Sequence, residues 1–374
     1  MRDKISTIIM ILIVLGIIGV VIIFGYILYD EFINMQQEVA VEDFQTTFDN
    51  DDGTSETAIE NEIKAPEVIE NSFDEIEGSN NNQNNNVDYS NVNVDKYFYN
   101  QLEEYSKIIY RAFESNKENM KSGTYKIELG NTFSDVLNQN GGQEMLGKYY
   151  QSAIEAYTYD NPDIFYLSPN KMYLNIETIT SGNNVTYNVY ISNGNQTNYL
   201  SDEFSTRQQV DNAIAQLEQV KNSIMQNRTG NTYNDIKMVH DYLVDNVTYD
   251  TSISKPHIYN IYGALINKEA VCEGYARAFK YLLDNMEIPC VLVVGKATNA
   301  QGRSENHAWN YVQANGKWYA VDTTWDDPVV VGGGTASQSS KYKYFMKSAN
   351  EFNTDHFANG QFTEGGKVFS YPEI

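Results

Sequence analysis

The sequence predicts an α+β fold in which a central helix, opened by Cys272, packs on an antiparallel sheet and follows a smaller α+β subdomain. Three observations carry that expectation. After Cys272, apolar residues return at helical spacing through Tyr275, Phe279, Leu282 and Met286, with Ala276, Ala278 and Leu283 filling the adjoining stripe. Residues 291–295 form a short, wholly apolar run of strand type. Residues 307–313 and 318–322 alternate on either side of Asn315-Gly316, the pair that a two-residue type I′ hairpin turn selects.

The chain divides sharply before that fold begins. Residues 8–28 are uncharged and mostly Ile, Leu and Val, a run long enough to cross a hydrocarbon core. A cleavable signal peptide would have a shorter apolar region and small residues before its cut, whereas Asp30, Glu31 and Phe32 follow Tyr29, so an uncleaved anchor is expected. Arg2 and Lys4 precede the run and Asp30 and Glu31 follow it. Residues 1–30 thus read as a cytoplasmic tip and transmembrane anchor, single-pass in the cell membrane, with the rest of the chain outside.

Residues 31–95 read as an acidic, Asn-rich disordered linker. Lys64 is the one base between positions 38 and 95, and residues 80–86 are asparagine apart from Gln83, a composition that buries too little apolar surface to fold. Most of the formal net charge of -24 therefore sits in the stalk. The acidic balance argues against nucleic acid as a partner and says little about the substrate.

Residues 96–230 read as the preceding α+β subdomain. Phe98, Leu102, Tyr105, Ile109 and Phe113 recur at helical spacing, and a second helix is expected near residues 147–157. Residues 171–178 and 185–192 alternate around Ser181-Gly182-Asn183-Asn184, the pattern of a hairpin, and residues 206–226 look helical again. The subregion carries no chemical motif, and its many tyrosines read as packing.

Residues 231–374 hold the chemistry. A helix over 233–246 and a loop over 251–260 lead to the Cys272 helix, the apolar strand and the hairpin. If Ala314 faces Lys317, Trp309 falls opposite Asp322 and His307 opposite Thr324. His307 and Asp322 then share a face as diagonal neighbours, with Cβ atoms at most about 7–8 Å apart. Cys290 begins the returning strand; a helix of about 13 residues puts it roughly 20 Å from Cys272, too far for a disulfide, so both thiols are expected to be free. Gly332-Gly333-Gly334 marks a loop near the site.

A thiol at a helix start, an imidazole and a carboxylate are the parts of a nucleophilic triad. The first-turn amides and the helix dipole favour a thiolate at Cys272, a nearby imidazolium would lower its pKa further, and its own N–H can serve an oxyanion. No metal is expected, because His240, His257, His307 and His356 lack ligand spacing and the two cysteines form no Cys-x-x-Cys pair. No phosphate loop is present, and no cofactor is expected. His240 reads as a helix-surface or interhelix partner of Asp241, and His257 and His356 as loop residues.

The blocks AVCEGYARAFKYLL, IPCVLVVG, NHAWNYV and GKWYAVDTTWDDP resemble the transglutaminase-like superfamily, a papain-like group of cysteine enzymes. The segments DNPDIFYL, VHDYLVDNVTYD and YKYFMKSANEFNTDHF extend the resemblance to bacterial membrane-anchored extracellular members. It implies a transglutaminase-like fold with Cys272 as nucleophile, His307 as base and Asp322 as its orienter. It also implies protein or peptide substrates, cell-wall peptide included, and either hydrolysis by a protease or amidase, which is favoured, or cross-linking by transamidation. The family's second oxyanion donor lies upstream of the nucleophile, and Tyr262 is the candidate for it, with a core tyrosine as the default reading. Trp309 and Trp325 are candidates to line the acyl site, with hydrophobic core as their default reading. The competing reading is a surface binding module that keeps the fold without activity.

Overall fold

A computed structural model describes residues 69–74, 87–181, 184–299, 302–327, 340–359 and 367–374. The anchor expected at 8–28 and the loop at 332–334 lie outside them. Among the described residues no helix is long and apolar enough to cross a membrane.

The first half comprises β1 (Ile69–Asp74), helix α1 (Glu104–Met120), β2 (Ile127–Gly130), helices α2 (Ser134–Leu137) and α3 (Gly142–Asp160), strands β3 (Tyr173–Ser181) and β4 (Asn184–Ser192), and helix α4 (Arg207–Met225). The strands form one sheet in the order β1-β3-β4-β2. The expected hairpin is β3–β4, paired antiparallel from Tyr173 opposite Ser192 to Ser181 opposite Asn184. Helix α4 starts at a capping box, in which the Thr206 hydroxyl accepts from the Gln209 N–H while the Gln209 side chain accepts from the Thr206 N–H. The helix expected from Phe98 starts later, at Glu104. Asp160, at the end of α3, accepts from the amides of Phe98 and Tyr99 and holds that approach in a short turn instead. The tyrosines are packing residues here: Tyr110, Tyr150, Tyr157, Tyr159, Tyr166 and Tyr199 are all buried.

Of the stretch expected to be disordered linker over 31–95, residues 69–74 and 87–95 are described and contribute to this body. Strand β1 pairs in parallel with β3. Tyr89 is buried and its hydroxyl donates to the Glu128 carbonyl at 2.7 Å. Strand pairing uses main-chain groups, so an acidic composition does not forbid it.

The second half continues with α5 (Thr232–Asn246), the two-residue strands β5 (Thr248–Tyr249) and β6 (Glu269–Ala270), helix α6 (Cys272–Asp284), strands β7 (Cys290–Thr298), β8 (Ser304–Ala314) and β9 (Lys317–Val321), the short helix α7 (Ala349–Phe352) and β10 (His356–Ala358). The four longer-paired strands form an antiparallel sheet in the order β10-β7-β8-β9. The apolar run seen in the sequence is the buried part of β7, the central strand beside β8. Helix α6 is buried along almost its whole length and is tied to β8 by Asn310, whose Nδ2 donates to the Ala276 carbonyl at 3.0 Å.

Contacts join the two halves across the expected boundary at residue 230. Arg277 of α6 donates to the Thr158 carbonyl of α3 at 2.7 Å. The C-terminal residues return to the first half, where Phe369 packs edge-on against Phe98 and the Tyr97 hydroxyl donates to the Ser370 carbonyl.

Candidate active site

The hairpin fixes the site's register. Ala314 faces Lys317, and Asn310 faces Val321, so the ladder runs in the expected step. Asn315 and Gly316 take φ of 52° and 76°, the left-handed pair that a type I′ turn requires. Beyond Val321 the strand pairing stops, yet the Asp322 side chain still reaches His307. On the other side of β8, His307 faces Gly295 of β7. A Cβ at Gly295 would lie 2.2 Å from the Phe357 carbonyl oxygen and 2.6 Å from the Trp309 ring, so only glycine lets β10 and the Trp309 indole close over this position.

Cys272 is the first residue of α6, after an extended Val271 at the N-cap. Gly274, in the same turn, lets the loop before the helix approach closely. A Cβ there would stand 2.3 Å from the Ile258 carbonyl oxygen, the same oxygen that accepts from the Val271 N–H at 3.0 Å. Loop 256–259 is thereby fastened to the helix tip that carries the thiol.

His307 and Asp322 meet directly, and the Cys272 sulfur lies at the backbone beside His307. His307 Nε2 lies 2.8 Å from Asp322 Oδ2. The Cys272 sulfur accepts from the backbone N–H of Ala308, the residue next to His307, which sets the sulfur against the His307 end of β8. Asp322 Oδ1 accepts from the N–H groups of Thr324 and Trp325 at 2.9 and 3.2 Å. Burial alone would raise the Asp322 pKa, but the charge of His307 and ring hydrogen bonds from His307 and His356 outweigh it and hold the carboxyl well below the usual range. With an ionised Asp322 able only to accept, His307 donates from Nε2 and presents Nδ1 on its other side.

The thiol departs from expectation. Cys272 is fully buried, and burial, joined by the charges of Glu273, Glu305 and Asp322, pushes its pKa well up in spite of the Ala308 N–H. A helix tip favours the thiolate only while the sulfur keeps solvent or a cation beside it. His307 and Asp322 are equally enclosed, so the described structure is a closed form of the site. Neither cysteine is in a disulfide, and Cys290 is a buried residue of β7, as expected.

Trp309 and Trp325 lie against the His307 ring, at centroid distances of 6.1 and 5.2 Å. Both indole nitrogens are buried, and that of Trp325 meets no hydrogen-bond acceptor among the described residues. Tyr262 goes elsewhere. Its ring stacks on Phe165 at 5.9 Å and meets Phe204 edge-on, so the candidate oxyanion donor is a packing residue between the halves of the chain.

His356 departs from the sequence expectation, and of the two readings of His240 the helix-surface one fails. His356 is on strand β10, not in a loop, and is buried with Nε2 3.1 Å from the same Asp322 Oδ2 and Nδ1 2.7 Å from Asp355 Oδ1. His307, Asp322 and His356 offer ligand-type atoms within 4.8 Å of one another, and those atoms hydrogen-bond among themselves. The Asp355-His356 pair inside the resembling segment was the one available signal. His240 bonds Asp241 as expected but is buried rather than on a helix surface, and its Nε2 lies 3.1 Å from Asp326 Oδ2.

The turn after Asp322 holds two more carboxyls, Asp326 buried and Asp327 partly buried. Asp326 accepts from the Tyr344 N–H, and burial pushes its pKa up to about 6 even with His240 beside it. Asp327 accepts from the Tyr275 hydroxyl of α6, and burial pushes its pKa up to about 7. A carboxyl whose folded pKa is raised holds its proton more tightly in the fold. Its stabilising contribution is fully present below the unfolded value, near 3.8, and is lost as pH rises through about 7. Asp327→Asn is therefore expected to raise the melting temperature, by a margin that grows from pH 4 to pH 7 and then levels off. A margin independent of pH in melts across that range would refute the assignment.

A thiol on a helix tip, set against the strand whose histidine is bonded to an aspartate, is the arrangement of papain-like cysteine enzymes. Residues 218–323 match the Transglutaminase-like superfamily, and the chain carries a domain of that family over this span. The match begins inside α4 and includes Cys272, His307 and Asp322, but ends before Trp325 and His356. Kyphoscoliosis peptidase of Mus musculus is 30% identical over 103 residues, which are 24% of this chain and 15% of that protein. The chain thus matches a small part of that relative's length. Among solved structures, a TGase shares 16% identity over 50% of each chain with a TM-score of 0.28. A candidate cysteine protease from Cytophaga hutchinsonii shares 13% identity over 40% of this chain and 62% of its own, with a TM-score of 0.24.

Proposed function

We propose that this chain is an extracytoplasmic cysteine enzyme that hydrolyses peptide or carboxamide bonds through a thioester on Cys272. The observation that carries this reading is the His307–Asp322 pair with the Cys272 sulfur held at the adjoining Ala308 amide. His307 takes the thiol proton, and the sulfur attacks the carbonyl carbon. The tetrahedral intermediate collapses to the thioester as His307 returns the proton to the leaving amine. Water, deprotonated by His307, then releases the acid and restores the thiol. The family match and a relative named as a peptidase support proteolysis. Because the thiol is enclosed, the site must open before a substrate enters.

A second reading, protein cross-linking, is favoured by one observation. Trp309 and Trp325 wall the His307 ring from solvent, and a dry acyl-enzyme survives longer for a bound amine than one exposed to water. The apolar run at 8–28 supports a membrane anchor with the domain outside the cell, where surface proteins or wall peptide are the substrates within reach.

Casein incubated with the full chain in detergent and a fluorescent primary amine separates these readings. Casein fragments that vanish in Cys272→Ala are the expected result. Amine incorporation without fragments would replace hydrolysis with transamidation, and neither product would leave the binding module.

A further inference from the structure

Asp322 Oδ2 is shared. It receives His307 Nε2 at 2.8 Å and His356 Nε2 at 3.1 Å, while the far nitrogen of His356 faces Asp355 Oδ1 at 2.7 Å. The three side chains around Asp322 are thus a row of alternating rings and carboxylates, running from Asp355 through His356 and Asp322 to His307. We propose that His356 is a positioning residue of this site, which pins the Asp322 carboxylate from behind so that its one remaining direction faces the His307 ring. The proposal rests on the triad reading of Cys272, His307 and Asp322.

The geometry favours a function over mere filling of space. A carboxylate oxygen has two lone pairs, and here both are taken by ring N–H groups, while Oδ1 is taken by the Thr324 and Trp325 amides. Asp322 is left no rotational freedom. His356 is itself immobilised: its ring lies 4.0 Å from that of Phe352, 4.6 Å from Trp325, 5.1 Å from Tyr344 and 5.2 Å from Trp309. The Tyr344 hydroxyl donates to Asp355 Oδ2 at 2.9 Å and fixes the outer carboxylate in turn. Each of the two carboxylates faces one ring nitrogen, so the ring donates on both sides and is the imidazolium. Burial works against that charge, but the hydrogen bonds to Asp322 and Asp355 prevail and raise its pKa. A cation behind Asp322 also offsets the cost of burying the carboxylate before His307 is charged in the reaction.

The test is the iodoacetamide alkylation rate of Cys272 in the full chain, followed by mass spectrometry so that Cys290 is scored separately. His356→Leu removes the donor and keeps the volume, and is expected to slow alkylation about 10- to 100-fold, the worth of one hydrogen bond to a charged group. His356→Gln keeps a donor at the reach of Nε2 and is expected to recover to within about threefold of wild type, a rescue that loss of packing alone would not produce. If His356→Leu does not fold, Asp355→Asn carries the test, since it leaves the ring and an acceptor for its Nδ1 in place and removes the negative charge of the outer partner; at least about a threefold fall is expected. Wild-type rates in His356→Leu, or in Asp355→Asn where that stands in, would overturn the proposal, as would a Gln variant no faster than Leu. A wild-type thiol no faster than that of His307→Ala would instead overturn the triad reading, and this inference with it.

Discussion

Asp322→Asn is expected to lower the turnover of casein, or the alkylation rate of Cys272, by about 10³- to 10⁴-fold while the chain stays folded. The reason is the count of acceptors. Asp322 accepts four hydrogen bonds, from two main-chain amides on Oδ1 and two imidazoles on Oδ2. An asparagine keeps one carbonyl oxygen. If that oxygen stays with Thr324 and Trp325, an amide N–H₂ faces His307 and His356, and a donor meets a donor. His307 escapes by moving its proton from Nε2 to Nδ1, the nitrogen that would have taken the thiol proton, so the variant holds the base in the wrong tautomer. If the amide turns the other way, it confronts two backbone N–H groups that cannot accept. Either outcome costs about 1–3 kcal/mol of stability, which a thermal melt separates from the far larger loss of rate. A rate within tenfold of wild type would show that Asp322 does not set the tautomer of His307.

Much of this site was legible from local signals. Asn315-Gly316 fixes the turn, and period-two alternation propagates the register to His307 without knowledge of any other element. The spacing of Tyr275, Phe279, Leu282 and Met286 places Cys272 at a helix tip for the same reason, since neighbours along the chain decide both. What remained hidden is decided by residues far apart in sequence. His356 joins Asp322 across 34 positions because β10 pairs with β7 on the far side of the sheet. The enclosure of Cys272 is likewise tertiary, and it reverses the thiol's expected pKa shift although the local helix argument was sound. Of the two readings of Tyr262 the core one holds, and chain order could not say which core, since its partners Phe165 and Phe204 come from the other half. Composition also misled over residues 69–74 and 87–95, which join the fold through main-chain pairing and the buried Tyr89.

Arg277→Met is the stability counterpart, with an expected loss of about 3–5 kcal/mol. Arg277 and Glu273 face each other one turn apart on α6, 2.7 Å between Arg277 Nη2 and Glu273 Oε1, and both are buried. The guanidinium also donates to the Thr158 carbonyl and lies 4.9 Å from the Tyr159 ring centroid, so it is the charged link between the thiol-bearing helix and α3. Methionine fills the same space without the charge. It leaves the Glu273 carboxylate, next to Cys272, enclosed without its cation and takes a donor from the Thr158 carbonyl. The melting temperature should fall by about 10 °C for a chain of this size. The double variant Glu273→Gln/Arg277→Met removes the stranded charge and is expected to regain most of that loss, because replacing both members of a buried ion pair costs far less than breaking it. Urea unfolding of the two variants distinguishes the pair from plain packing. If the double variant is no more stable than Arg277→Met, the guanidinium acts through its contacts with Thr158 and Tyr159, and Glu273 is not the group that needs it.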